Sequence, residues 1–372
     1  MELLALATVA SQMRKGVPLP WNVRTESGHL LLARGQVLAT EDEIAALLAR
    51  GMFVDAAELR LPSGGDVAPL YRNVFERWAA MERRLAASLR APCAELGTRI
   101  AALAGDVTEL ADEHPDQLIF AVVQYDHERF AAYGVAHSLH AAAVCALLTR
   151  RMACDAAQRR SLLCAALTMN IAIVELQGQL AAKGGRPSAG QRQVIDAHPL
   201  EGADRLRRAG IDDALWLRLV EEHHETPGGG GYPQALVEPC ELAELLRLVD
   251  IFTAKYAARA DRPALPARVA AQQLFVQSGQ HPVAAMLIKE FGMYPPGCIV
   301  KLSNGETAVV VRRGAQVNHP VAAVFVNRHG QPVAPPLRRD TARADCAVVT
   351  TLTPESILVK LAVEQLYEAA EI

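Results

Sequence analysis

His223-His224-Glu225-Thr226-Pro227-Gly228-Gly229-Gly230-Gly231-Tyr232-Pro233 runs two adjacent imidazoles straight into four glycines and a Tyr-Pro pair. The residues leading into it, ALWLRLVEEHHE, carry apolar side chains at helical spacing, so a helix delivers the histidine pair into the loop. Glycine removes the Cβ barrier to unusual dihedrals, and a loop built from it brings backbone amides close to a ligand. On its own an adjacent histidine pair is weak evidence for a metal and reads first as a partly exposed or hydrogen-bonded pair. Its weight comes from the residues that accompany it.

Upstream, His198 precedes Pro199 at the start of a helical pattern, and His137 and His140 lie on the apolar helix HSLHAAAVCALLTRRM. Downstream, Asp250 interrupts the apolar run LLRLVDIFTA, where an unpaired buried carboxylate would be costly. Imidazoles with a carboxylate form a ligand set for divalent transition metals. Two such ions close together clamp both oxygens of a phosphoryl displacement. The constellation fits metal-assisted phosphodiester hydrolysis.

In this order the residues resemble the HD-GYP family of the HD superfamily. That family runs from a helix His to a His-Asp pair followed by Ile-Gly-Lys, then a helix-opening His, then His-His-Glu-x-x-Asp-Gly-x-Gly-Tyr-Pro, and last an Asp with Ala four residues on. Four of the five stations are present: His137; His198; His223, His224 and Glu225 with Gly229, Gly231, Tyr232 and Pro233; and Asp250 with Ala254. Arg259 also falls where the family usually has an arginine. The resemblance covers about residues 120–285. It implies a mainly α fold with a helical HD-GYP core, cyclic di-GMP phosphodiesterase activity, and metal ligation by His137, His198, His223, His224 and Asp250. Glu225 is then a general base or a partner orienting a histidine; a helix-end carboxylate bonded to nearby backbone is the alternative.

The missing station is the His-Asp pair, which lines up with Met169-Asn170 in AALTMNIAIVEL. A thioether is a poor ligand for hard or borderline ions. An amide has no negative charge with which to hold two cations together. Ile173 stands where the family has its lysine, and Gly228 where the signature has its aspartate. The binuclear mechanism is therefore expected to fail, leaving either one divalent ion (iron, manganese or zinc) on His198, His223 and His224, or a metal-free site. His140, one turn along from His137, is a candidate substitute ligand.

Two functions follow from the resemblance. One is a degenerate module of cyclic di-GMP signalling, inactive or weakly active, that binds cyclic di-GMP or another small nucleotide, or docks a signalling protein. In the family the Gly-Tyr-Pro tripeptide has been linked to docking on diguanylate cyclase domains, and an aromatic on a Gly-Pro loop suits such a contact. The alternative is an active phosphodiesterase using a reduced, His-rich metal site.

The remainder of the chain sets bounds. A net charge of −3 gives no broad basic field for a polynucleotide. Seven cysteines without a C-x-x-C spacing read as reduced, mostly buried residues. No apolar run reaches the roughly 18 residues a membrane span needs, and the start MELLALATVASQMRKG lacks a basic leader, so a cytoplasmic protein without a membrane partner is expected. Residues 1–66 read as a small α+β unit whose helix begins at Thr40, with Glu43 completing a capping box. LPSGGDVAP at 61–69 reads as a linker, 67–119 as connecting helices and 120–288 as the HD-GYP domain. Residues 289–372 read as a small antiparallel β unit with Asn-Gly and His-Gly turns, closed by the helix SILVKLAVEQLYEAA.

Overall fold

Thr40 opens the first helix, α1 (Glu41–Ala49): its hydroxyl accepts the Glu43 N–H at 3.2 Å, and the Glu43 carboxylate accepts the Thr40 N–H at 3.3 Å. This reciprocal pair satisfies two of the donors that a helix start leaves free. The computed structural model describes residues 3–55 with short interruptions, 73–90, 94–124, 130–352 and 366–367. Contacts divide the chain into two compact units, Met1–Arg72 and Asn73–Ile372. In the first, β1 (Leu3–Ala5), β2 (Val23–Arg24), β3 (Leu30–Leu32) and β4 (Phe53–Asp55) form a sheet of order β1-β4-β2-β3. Leu6, Trp21, Val23 and Val54 bury against Ile44 and Leu47 of α1. The linker LPSGGDVAP lies outside the described residues, as does the terminal stretch SILVKLAVEQLYEAA apart from Leu366 and Tyr367.

The second unit holds α2 (Val74–Arg90), α3 (Leu96–Glu113), α4 (Pro115–Val123), α5 (Tyr133–Thr149), α6 (Ala156–Thr168), α7 (Val174–Lys183), α8 (Ala189–Arg208), α9 (Ala214–Glu222), α10 (Glu241–Tyr256), α11 (Ala267–Gln277) and α12 (Pro282–Phe291). They share one apolar core, to which α2 and α3 contribute Trp78, Met81, Leu85, Ile100 and Leu103. Every residue of α5 is buried, so it forms the axis around which the others pack. This corrects the expectation about apolar runs: Phe130–Thr149 is long and apolar enough to cross a membrane by length and composition, yet 89% of that window is buried inside the protein. A helix surrounded by neighbours is apolar on all faces, so composition alone does not distinguish it from a span.

After α12 come β5 (Ile299–Leu302), β6 (Thr307–Arg312), β7 (Val321–Val326), β8 (Pro332–Asp340) and β9 (Val348–Leu352), an antiparallel sheet of order β8-β7-β6-β5-β9. The Asn-Gly and His-Gly turns close two of its hairpins, with Gly305 at φ +85° and Gly330 at φ +80°. One sheet face, Ile299, Val309, Val311, Ala323 and Phe325, packs on Phe120 of α4.

A charge cluster fastens this sheet to the helices. Arg313, just past β6, donates to Asp116 of α4 and Glu290 of α12, and Arg151 donates to Glu290 from the far side. The Glu290 side chain is 1% exposed, so losing a partner leaves charge without water. Arg313→Met is expected to cost about 3 kcal/mol. Urea unfolding checks it: the midpoint falls, whereas an unchanged midpoint would mean that the cluster adds nothing.

Candidate metal centre

The site begins with two helices that leave backbone carbonyls without helical donors. Ser188 caps α8 by accepting the Gln191 N–H, which corrects the expectation that His198 opens a helix: His198 lies in the middle of α8, followed by Pro199 inside it. The Ser188-x-x-Gln191 capping box was present to be read. Pro199 has no N–H, so the Ile195 carbonyl loses its helical donor, and His198 Nδ1–H donates to that oxygen at 2.5 Å. His223 stands at the end of α9, where the last carbonyls also lack helical donors. Its Nδ1–H donates to Val220 at 2.6 Å. A carbonyl left without its helical donor in each helix thus fixes the tautomer of each imidazole.

Both rings consequently present bare Nε2 lone pairs, and these lie 3.1 Å apart. Two acceptors at that separation repel unless a cation sits against both. His224 completes a group whose ligand nitrogens all lie within 4.8 Å of one another. Burial first, and then the charge of His224, pushes the His198 pKa down to about 4. Burial and the other two imidazoles push His223 well below the ordinary histidine range. Burial also lowers His224, against the opposing pull of Asp250. The three rings are therefore neutral near pH 7, the form that ligates. Three neutral imidazoles fit a divalent transition metal with a position left open.

His137 and Asp250 lie in a second group. His137 Nε2 is 2.7 Å from Asp250 Oδ1, while His137 Nδ1 is buried without a hydrogen-bond partner among the described residues. Burial alone would raise the Asp250 carboxyl, but the His137 hydrogen bond and the neighbouring imidazoles outweigh it and hold the group well below the carboxylate range. Tyr133 stacks on His137 with ring centroids 5.8 Å apart, and Arg259 donates to the Tyr133 hydroxyl at 3.1 Å. His140 is elsewhere: its ring stacks on Trp78 at 5.7 Å and Tyr256 at 6.0 Å.

Met169 and Asn170 follow α6 and are both buried. A Cβ on Gly202, one turn beyond His198, would come 3.6 Å from the Met169 carbonyl, so this segment runs against α8. Asn170 Nδ2 has no hydrogen-bond partner among the described residues, and Ile173 is buried just before α7.

Glu225 is fully buried, and its two oxygens accept the Gln234 N–H at 2.7 Å and the Leu236 N–H at 3.0 Å. The carboxylate thus ties down the glycine loop, which is the backbone-bonded alternative. Gly231 permits this closure, because a Cβ there would lie 2.4 Å from Glu225 Cα. Gly228 and Gly229 take φ of +84° and +81°, and Gly228 N–H donates to Val237. Tyr232, joined to Pro233 by a cis peptide, stacks on His224 at 4.6 Å, and the Arg192 guanidinium lies over its ring, 5.5 Å from the centroid. Glu225→Ala is expected to expose the Gln234 and Leu236 amides and to cost about 2 kcal/mol. Hydrogen exchange at those amides checks it; undiminished protection would contradict the tie. Tyr133, Arg192 and Arg247 carry no sequence motif, and only the folded helices bring them to this region.

A bundle of buried helices presenting histidines and one aspartate defines the class. Residues 82–282 match the HD domain family, more than half of the sequence, and the chain belongs to that family; the Gly231-Tyr232-Pro233 signature makes it a member of HD-GYP type. Over 214 residues it is 26% identical to the cyclic di-GMP phosphodiesterase PA4108 of Pseudomonas aeruginosa, aligning 55% of this chain with 52% of that protein. The chain therefore spans about half the length of that relative. The structure of Bd1817, a HDG"Y"P protein from Bdellovibrio bacteriovorus, superposes with a TM-score of 0.48 at 17% identity, covering 78% of this chain and 97% of that one.

Proposed function

We propose that this chain is a cyclic di-GMP signalling module that holds one divalent metal on His198, His223 and His224 and turns over its ligand weakly or not at all. The observation that carries this reading is the His137–Asp250 hydrogen bond, taken with the buried, uncharged Asn170 amide at the position of the family's aspartate. Two-metal hydrolysis needs a carboxylate to bridge the ions and acidify the water between them. Asn170 supplies no charge for that, and Met169 offers a thioether to ions that prefer nitrogen and oxygen. His137 and Asp250 instead satisfy each other.

A single bound ion would polarise a phosphoryl oxygen as a Lewis acid. The chain's own residues do the rest. His198 and His223 keep Nε2 available through their Nδ1 bonds to Ile195 and Val220. Each Glu225 oxygen accepts a loop amide, which supports a structural role for this carboxylate over general-base work. Tyr232 offers a flat aromatic to a nucleotide, with the Arg192 guanidinium, itself paired with Asp196, over its ring. Cyclic di-GMP is the proposed ligand because the Pseudomonas aeruginosa relative is a cyclic di-GMP phosphodiesterase. Iron, manganese and zinc all suit three imidazoles. The Gly231-Tyr232-Pro233 loop is a proposed docking point for a diguanylate cyclase domain. Residues 1–66 and 289–372 are proposed as accessory units flanking connecting helices (67–119) and the HD-GYP domain (120–288) of a cytoplasmic protein.

The second reading, a slow phosphodiesterase, is favoured by the open position that a three-histidine site leaves, as catalytic zinc centres do. Calorimetry with cyclic di-GMP, run beside a product assay with added manganese or iron, separates the two. Binding without linear product or GMP is expected. Steady turnover would establish the second reading, and absence of both binding and turnover would remove the nucleotide from the account.

A further inference from the structure

The nucleotide-binding reading leaves open which side chain meets the phosphate, since Ile173 occupies the position of the family's lysine. Of the arginines in this region, Arg192 is paired with Asp196 at 2.8 Å, and Arg259 donates to the Tyr133 hydroxyl. The Nε of Arg259, like that of Arg247, is buried without a hydrogen-bond partner among the described residues, but its guanidinium is held by Tyr133, whereas Arg247 has only a long ion pair. It precedes Asp250 by three residues on α10 and so lies on the same helical face. Its side chain is only 17% exposed, and its Nε is buried with no hydrogen-bond partner among the described residues. The carboxylate nearest to it, Glu244, stands 3.7 Å away and is shared with His281 Nε2 at 3.4 Å.

A guanidinium taken out of water without a matched anion is costly and is rarely kept without a ligand. Burial lowers the Arg247 pKa despite Glu244, so its own partner does not compensate it. The same charge acts on His224, one of the three clustered imidazoles. Guanidinium is also the group whose planar fork matches phosphate oxygens.

We propose that Arg247 is the phosphate-positioning residue of this pocket, its guanidinium donating to a phosphate or phosphodiester oxygen held beside the histidine cluster. This rests on the nucleotide-binding reading but concerns the phosphate group alone. Glu244 then acts as a competing anion that holds Arg247 loosely until the ligand arrives.

The test is equilibrium binding of inorganic phosphate and of cyclic di-GMP, at fixed ionic strength, to the full manganese-loaded chain. Arg247→Gln is expected to weaken both by about tenfold or more, the effect of one charge-assisted hydrogen bond. Glu244→Gln, which removes the competitor, is expected to tighten both severalfold, a change of opposite sign that a purely structural role for Arg247 would not produce. Unchanged phosphate affinity in both variants overturns the proposal. If Arg247→Gln fails to fold, Glu244→Gln decides alone, and unchanged or weaker phosphate binding overturns it. A wild-type chain that binds phosphate through Arg247 but not cyclic di-GMP keeps the proposal and removes the nucleotide reading. A wild-type chain that binds neither overturns both.

Discussion

The double substitution Met169→His with Asn170→Asp is expected to raise bound metal from about one to about two ions per chain and cyclic di-GMP hydrolysis by roughly 100-fold or more. The new carboxylate would supply the charge that bridges two cations, and the new imidazole would replace a thioether with a ligand suited to them. The exchange breaks no hydrogen bond of Asn170 Nδ2 among the described residues. His137 and Asp250 would then turn from each other to the second ion. The gain of about 100-fold corresponds to roughly 3 kcal/mol of transition-state stabilisation, within what a metal supplies. Ile173 is untouched, so substrate affinity should remain modest. Elemental analysis and product chromatography on the same sample check the result. Two ions without turnover would show that the missing pair is not what limits the chemistry.

His223→Ala is expected to lower metal affinity by more than about 100-fold, since even the partners that merely orient a ligand are worth roughly 10–100-fold. His223 is fully buried, its Nδ1 is held by Val220, and its Nε2 faces His198 at 3.1 Å. Competition with a chelator measures the loss. His140→Gln should leave metal content unchanged, because that ring stacks on Trp78 and Tyr256 outside the three-histidine group.

The metal-free protein carries a related pH signature. Folded His198 stays neutral down to about pH 4, whereas in the unfolded chain a histidine takes up its proton near pH 6.5. The unfolded state therefore binds more protons between these values, so stability is full above about pH 6.5 and is lost as pH falls towards 4. Thermal unfolding across that window reads it; a flat profile would argue against neutral, buried imidazoles.

The sequence made the chemistry of this site more legible than its mechanics. His198, His223 and His224 were recognisable from spacing and signature, and the structure brings their nitrogens together. The α1 start at Thr40 and the Asn-Gly and His-Gly turns were equally legible, because caps and tight turns are local and carry their own residue preferences. The start of α8 is encoded by the Ser188–Gln191 capping box, and not by Pro199, which lies inside the helix although proline favours a first turn. Its effect is instead to release the Ile195 carbonyl that fixes His198. Glu225 read as a possible base since carboxylates beside histidines often are; only the fold of the loop shows both oxygens taken by backbone amides. Tyr133, Arg192 and Arg247 escaped notice for a different reason. Each reaches the site through contacts between residues distant in the chain, and no local pattern encodes those.

The most direct measurement is elemental analysis of the wild-type chain, purified without a metal-chelating tag and dialysed against manganese, iron and zinc in turn. The account predicts about one ion per chain, retained by the wild type and lost in His223→Ala. Two ions per chain in the wild type would contradict it, since a ligand other than Asn170 would then have to bridge them.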